Sequence, residues 1–187
     1  MEAFLISTGL VSIAEIGDKT MLLSIVMAAA WRKPWPILLG ILSATLLNHA
    51  FAALAGTVLA AFVQGEWMRW IVGLAFLGFA GWALIPDTLE EQKAEVQRGF
   101  WAIFWTTASA FFLIEMGDKT QVATAMLAAR FENLPLVVAG STLGMMLVNG
   151  PAVLLGEQAA RQLPLKWIRL AAAAGFAATG LWILLAT

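Results

Sequence analysis

The sequence has no cysteine, a single histidine and little charge: only 12% of its 187 residues are Asp, Glu, Lys or Arg, against about 25% in an ordinary soluble domain. Without cysteine, thiolate catalysis, disulfide frameworks and Cys/His zinc sites are excluded. Eleven basic and twelve acidic residues give a net charge of -1. No basic surface exists to hold a phosphate backbone, so nucleic acid is not an expected partner. Any metal chemistry must rest on oxygen ligands, helped at most by Met or His49.

What the sequence has in excess is apolar surface, 61% of residues, where soluble domains have about 45–50%. The apolar residues form six blocks, roughly Ala3 to Trp31, Pro36 to Val63, Trp67 to Ile85, Phe100 to Ala129, Leu134 to Gly156 and Trp167 to the C-terminus. Each is about as long as the 20 helical residues that cross a bilayer. The runs are continuous rather than alternating, which indicates helices and not barrel strands. The expected class is therefore an all-α integral membrane protein with six transmembrane helices in a lipid bilayer. The first block continues through charged residues with no basic segment ahead of it, so a cleaved signal peptide is not expected.

Short connectors separate most blocks, and one long polar connector, residues 87–99, divides the chain into a first half, 1–86, and a second half, 100–187. The first, third and fifth loops hold Arg32, Lys33, Lys93, Arg98, Arg161, Lys166 and Arg169; the opposite side holds only Arg69 and Arg130. This asymmetry places the odd loops in the cytoplasm and both termini outside. Trp31, Trp35, Trp67, Trp101, Trp105 and Trp167 fall near span ends, where interfacial aromatics belong.

The two halves align at a constant offset of 100 residues. EIGDKT at Glu15 to Thr20 recurs as EMGDKT at Glu115 to Thr120, and the same offset pairs Gly40 with Gly140, Trp67 with Trp167, Arg69 with Arg169 and Phe76 with Phe176. Three crossings per half make the second copy enter the membrane from the opposite side. The expected architecture is thus two inverted three-helix repeats, common in secondary transporters whose site lies at the repeat interface near the midplane. A duplicated structural bundle is the alternative.

Each motif sets Glu, Asp and Lys inside an apolar block, where one charge costs about 2.5–3.5 kcal/mol even on the lenient insertion scale. On a continuous helix, Asp18 lies 60° to one side of Glu15 and Lys19 40° to the other, so all three share one arc, as do Glu115, Asp118 and Lys119. They form either a salt-bridge cluster that merely holds helices together or an ion site. Four carboxylates and two ammonium groups leave two negative charges, which one divalent cation or two protons would neutralise. Gly17 and Gly117 serve either close helix approach or a local helix break. Lys19, Thr20, Ser24, Lys119, Thr120, Gln121 and Thr124 are expected to support the acids rather than bind an ion directly. Asn48, His49 and Asn149 are the other polar groups at membrane depth, and His49 and Asn149 are repeat equivalents; each is either an interhelical link or part of the site. Gln121 has Met21 as its counterpart, so the half-sites need not be equivalent.

The doubled E-x-G-D-K-T motif, three spans per half and the short acidic central loop resemble the small cation-exchanger family of bacterial manganese exporters and eukaryotic Golgi manganese/calcium transporters. The resemblance covers the whole chain. It implies a divalent-cation/proton antiporter, not an enzyme, with Glu15, Asp18, Glu115 and Asp118 as metal ligands and proton-coupling groups. No cofactor is implied, the metal being the transported substrate. Oxygen ligands suit Mn²⁺, Ca²⁺ and Mg²⁺; Mn²⁺ is favoured because Met21, Met116, Met126 or His49 offers a softer ligand. The expected service is Mn²⁺ export by alternating access across a bacterial cytoplasmic membrane, with Ca²⁺ as second choice. A divalent-cation channel and an intramembrane carboxylate hydrolase are the other classes.

Overall fold

A computed structural model describes residues 1–63, 66–85, 99–155 and 165–185. Among these residues the chain forms eight helices and no strand: α1 Glu2–Glu15, α2 Lys19–Trp31, α3 Pro34–Phe62, α4 Glu66–Ala83, α5 Phe100–Glu115, α6 Lys119–Phe131, α7 Leu134–Leu155 and α8 Leu165–Leu185. Helices α3, α7 and α8 are each long and apolar enough to cross a membrane, and α5 with α6 makes a fourth candidate, bent by 71° at its break. Most of the long connector, with Lys93 and Arg98, lies outside the described residues, as does Arg161. Arg169, expected in a loop, lies inside α8.

The first and fourth apolar blocks are not the continuous helices expected from their hydropathy. The motif itself breaks them. Ile16 has φ -66° and ψ 114°, Gly17 has φ +82°, and Asp18 N donates to Glu15 O at 3.0 Å. Met116, Gly117 and Asp118 repeat this with φ -65° and ψ 116°, φ +80°, and a 3.0 Å bond to Glu115 O. These are type II turns, whose third position needs positive φ and therefore glycine. The fourth turn residue, Asp18 or Asp118, becomes the N-cap of the next helix, a position that favours aspartate. The shared arc derived for a continuous helix therefore does not exist; each motif straddles two half-helices. A Cβ on Gly117 would meet nothing within 4 Å, so the break, rather than helix approach, explains that glycine.

Burial is inverted relative to a soluble protein. Leu39, Leu46, Phe51, Leu54 and Phe62 of α3 and Leu147 and Leu154 of α7 face outward, while Ser, Thr, Asn, Glu, Asp and Lys side chains are buried. An apolar exterior of this extent fits hydrocarbon surroundings. Trp35, Trp67, Trp101, Trp105 and Trp167 are exposed, but Trp31 is buried in a cluster with Ile37, Ile41 and Phe111.

The halves interlock. Helix α1 packs on α7 of the other half, and its equivalent α5 packs on α3; α2 meets α7 as α6 meets α3, and α4 lies against α8. Glycine permits the closest crossings, since a Cβ on Gly40 would lie 2.9 Å from Phe104 O and one on Gly140 2.5 Å from Phe4 O. These contacts are repeat equivalents. Phe76, Phe79 and Phe176 pack ring to ring, with centroids 5.7–6.1 Å apart, where α4 meets α8.

Candidate functional site

The type II turns deliver the acids to the ends of half-helices. Glu15 and Glu115 are the last residues of α1 and α5; Asp18 and Asp118 cap α2 and α6. All four are buried, Glu15 and Glu115 completely. Helix ends lack partners for their terminal backbone groups, so polar backbone converges here together with the carboxylates.

The lysines tie the two motifs together crosswise. Lys19 Nζ lies 2.7 Å from Asp118 Oδ1, and Lys119 Nζ lies 3.2 Å from Asp18 Oδ1. Each ammonium group thus bridges the other repeat's aspartate. Lys119 is buried, whereas the Lys19 side chain retains 26% of its exposure. The carboxylates of Glu15, Asp18 and Asp118 each place an oxygen within 4.8 Å of the other two. Oxygens about 2.4 Å from one cation stand at most about 4.8 Å apart, so one divalent ion can span the trio. Glu115 is not in that trio, but its carboxylate interacts electrostatically with Glu15, Asp18, Asp118 and Lys19.

The remaining polar residues divide by partner. Thr20 Oγ1 donates to Glu15 Oε2 at 2.6 Å, and Thr120 Oγ1 to Asp118 Oδ2 at 3.2 Å. Gly117 N donates to Gln121 Oε1 at 2.6 Å, while the equivalent Gly17 N has only the sulfur of Met21, at 3.4 Å. Ser24 donates to Asn149 Oδ1 at 2.6 Å and links α2 to α7. Asn48 donates to Phe112 O at 3.1 Å and links α3 to α5. Thr124 turns back to its own helix, donating to Thr120 O at 2.8 Å. His49 Nε2 lies 3.8 Å from Glu115 Oε2.

Five buried hydroxyls went unread in the sequence: Ser141, which donates to Val138 O at 3.3 Å, and Ser7, Thr45, Thr107 and Thr142, which have no hydrogen-bond partner among the described residues. A signal existed for two of them, because Ser7 and Thr107 are repeat equivalents and both carry hydroxyls. A small cavity also reaches Asp18 and Lys119, walled by Ile13, Ile16, Ala83 and Arg169. Arg169 thus stands near the acids, a placement its loop assignment concealed.

Comparison with known proteins matches residues 3–91 and 103–187 to the family described as "Divalent cation/proton antiporter GDT1". The chain is 44% identical over its full length to 89% of a Vibrio cholerae protein named "Putative manganese exporter". It is 27% identical to "GDT1-like protein 5" of Arabidopsis thaliana over 99% of this chain and 96% of that one. "GDT1-like protein sll0615" of Synechocystis is 28% identical over 91% of this chain and 90% of its own length. No solved structure matches the chain significantly. With nearly the whole sequence matched and both charged motifs inside the matched segments, the chain belongs to the GDT1 family of divalent cation/proton antiporters.

Proposed function

We propose that the protein exports Mn²⁺ from the cytoplasm in exchange for protons, by alternating access at a site shared between two inverted repeats. Glu15, Asp18, Glu115 and Asp118 hold the metal, and the same acids take protons when the metal leaves. The observation that carries this reading is the crossed pairing of Lys19 with Asp118 and of Lys119 with Asp18. It gathers acids from sequence positions 100 apart into one buried group, as a shared site requires.

In this reading the membrane is crossed six times: by α1 with α2, α3, α4, α5 with α6, α7, and α8. Residues 1–86 form one repeat, 87–99 a cytoplasmic connector and 100–187 the other, with both termini outside. Half-helices of 14 and 13 residues are each about 20 Å long, too short to span a hydrocarbon core of about 30 Å alone. Their junctions, and hence the acids, fall near the midplane.

Charge balance supplies the coupling. Four carboxylates and two ammonium groups leave two uncompensated negative charges, which one Mn²⁺ or two protons neutralise. A neutral site can reorient across the membrane, and an empty, doubly negative one resists because bare charge is costly in hydrocarbon. Manganese export is supported by the Vibrio relative's name and by His49 beside Glu115.

The test is Mn²⁺ movement in proteoliposomes under an imposed pH gradient. Exchange requires flux that follows the gradient and reverses when it is reversed. Flux indifferent to the gradient would mean a channel, and absence of flux would remove the transport reading.

A further inference from the structure

The two halves satisfy their buried polar groups unequally, and the inequality lies at the acids. At one of the two equivalent contacts between the halves Ser24 donates to Asn149 Oδ1, and Asn149 Nδ2 donates to Met145 O at 3.1 Å. The repeat equivalents are Thr124 and His49. Thr124 is committed to its own helix, and His49 is fully buried with neither ring nitrogen hydrogen-bonded. Its Nε2 stands 3.8 Å from Glu115 Oε2, too far for a hydrogen bond. Both oxygens of Glu115 also lack a hydrogen-bond partner. Asn48, next in sequence, fixes this stretch of α3 onto α5 through Phe112 O, so the ring is held beside the carboxylate.

A buried imidazole and a buried carboxylate, facing one another with nothing bonded to either, need a third party. Two ligand atoms each about 2.2 Å from one cation stand roughly 3.1–4.4 Å apart, depending on the angle between them. The observed separation lies inside that range.

We propose that His49 Nε2 and Glu115 form a nitrogen–oxygen half-site for the transported cation, beside the all-oxygen trio of Glu15, Asp18 and Asp118. The imidazole makes this exchanger prefer first-row transition-metal ions, here Mn²⁺, over the alkaline-earth ions Ca²⁺ and Mg²⁺. Imidazole nitrogen binds first-row divalent metals well, whereas Ca²⁺ takes oxygen ligands almost exclusively. Asparagine at the same place, as at position 149, offers an amide oxygen that Ca²⁺ accepts. The inference rests on the exchange reading above and names the residue that tunes its substrate.

His49 is the only histidine in the sequence, which makes a spectroscopic test unambiguous. The full-length protein, purified without a polyhistidine tag, is loaded with Mn²⁺ and examined by pulsed electron paramagnetic resonance for ¹⁴N coupling of a bound imidazole. The wild type should show that coupling, and His49→Asn should lose it. In proteoliposomes, Ca²⁺ should compete with Mn²⁺ at least tenfold more effectively in His49→Asn and His49→Gln than in the wild type, while Ca²⁺/proton exchange continues. Absence of nitrogen coupling in a wild type that does exchange Mn²⁺ for protons would overturn the half-site and leave the exchange reading standing. Unchanged selectivity in both variants would overturn it too. A wild type that exchanges no divalent ion removes both readings together. Because the spectrum is taken on the wild type, the proposal remains testable even if neither variant folds.

Discussion

Replacing Gly117 by alanine isolates the helix break from everything else the motif does. A Cβ there meets no atom within 4 Å, so the substitution creates no collision, and its whole effect acts through φ +80°. An L-residue in the left-handed region costs about 1–2 kcal/mol. Alanine also favours a helix interior over glycine by about 1 kcal/mol, which rewards a straight run through residues 116–118. The sum, about 2–3 kcal/mol, shifts the balance between bent and straight forms roughly 30- to 150-fold. Straightening would carry Asp118 and Lys119 away from Lys19 and Asp18. Gly78→Ala is the control: it lies within α4, and its Cβ would also meet open space. Mn²⁺/proton exchange in proteoliposomes, normalised to inserted protein, should fall at least tenfold in Gly117→Ala and stay unchanged in Gly78→Ala. Wild-type exchange by Gly117→Ala would refute the reasoning, since the turn would then need no positive φ.

Glu15→Gln and Glu115→Gln should each insert normally yet lose most metal export, measured as Mn²⁺ efflux from cells, because each removes an anionic ligand and a proton acceptor. The buried pair Lys119–Asp18 should lose about 3–5 kcal/mol when either partner alone is neutralised. In a thermal-unfolding cycle, Lys119→Met combined with Asp18→Asn should cost less than the sum of the two single changes; additivity would mean the crossed pair is not formed. Gly56→Ala pushes a methyl group onto the Ala125 carbonyl, where α3 crosses α6, and should lower stability by about 1–3 kcal/mol. An unchanged melting temperature would show that the crossing is looser than described.

The all-helical class was legible because bilayer length leaves strong marks on sequence, and the gapless repeat directed attention to the two acidic motifs, which the structure brings together. The break was not legible, for a physical reason. Hydropathy sees Ile16 and Met116 as apolar residues within apolar runs, and a glycine reads equally as a packing contact. Only the combination of glycine at the third turn position with aspartate at the fourth, an N-cap residue, distinguishes a type II turn from a crossing point. The crossed lysines followed from the break and were lost with it; a continuous helix pairs Glu15, Asp18 and Lys19 among themselves. That His49 has no hydrogen-bond partner while its repeat equivalent Asn149 accepts from Ser24 is a matter of side-chain placement, which composition does not encode. Arg169 reads as a loop residue because it follows Lys166 at the edge of an apolar block, whereas α8 starts at Leu165 and carries both charges inside its first turns.

The central claim is that one buried site, shared by both repeats, is neutralised alternately by a divalent ion and by protons. Its most direct test is simultaneous measurement of Mn²⁺ and proton flux in sealed proteoliposomes with the membrane potential clamped at several values. The charge count of four carboxylates against Lys19 and Lys119 leads us to expect about two protons moving against each Mn²⁺, at a rate nearly independent of potential. Mn²⁺ flux without any opposing proton flux would contradict the account.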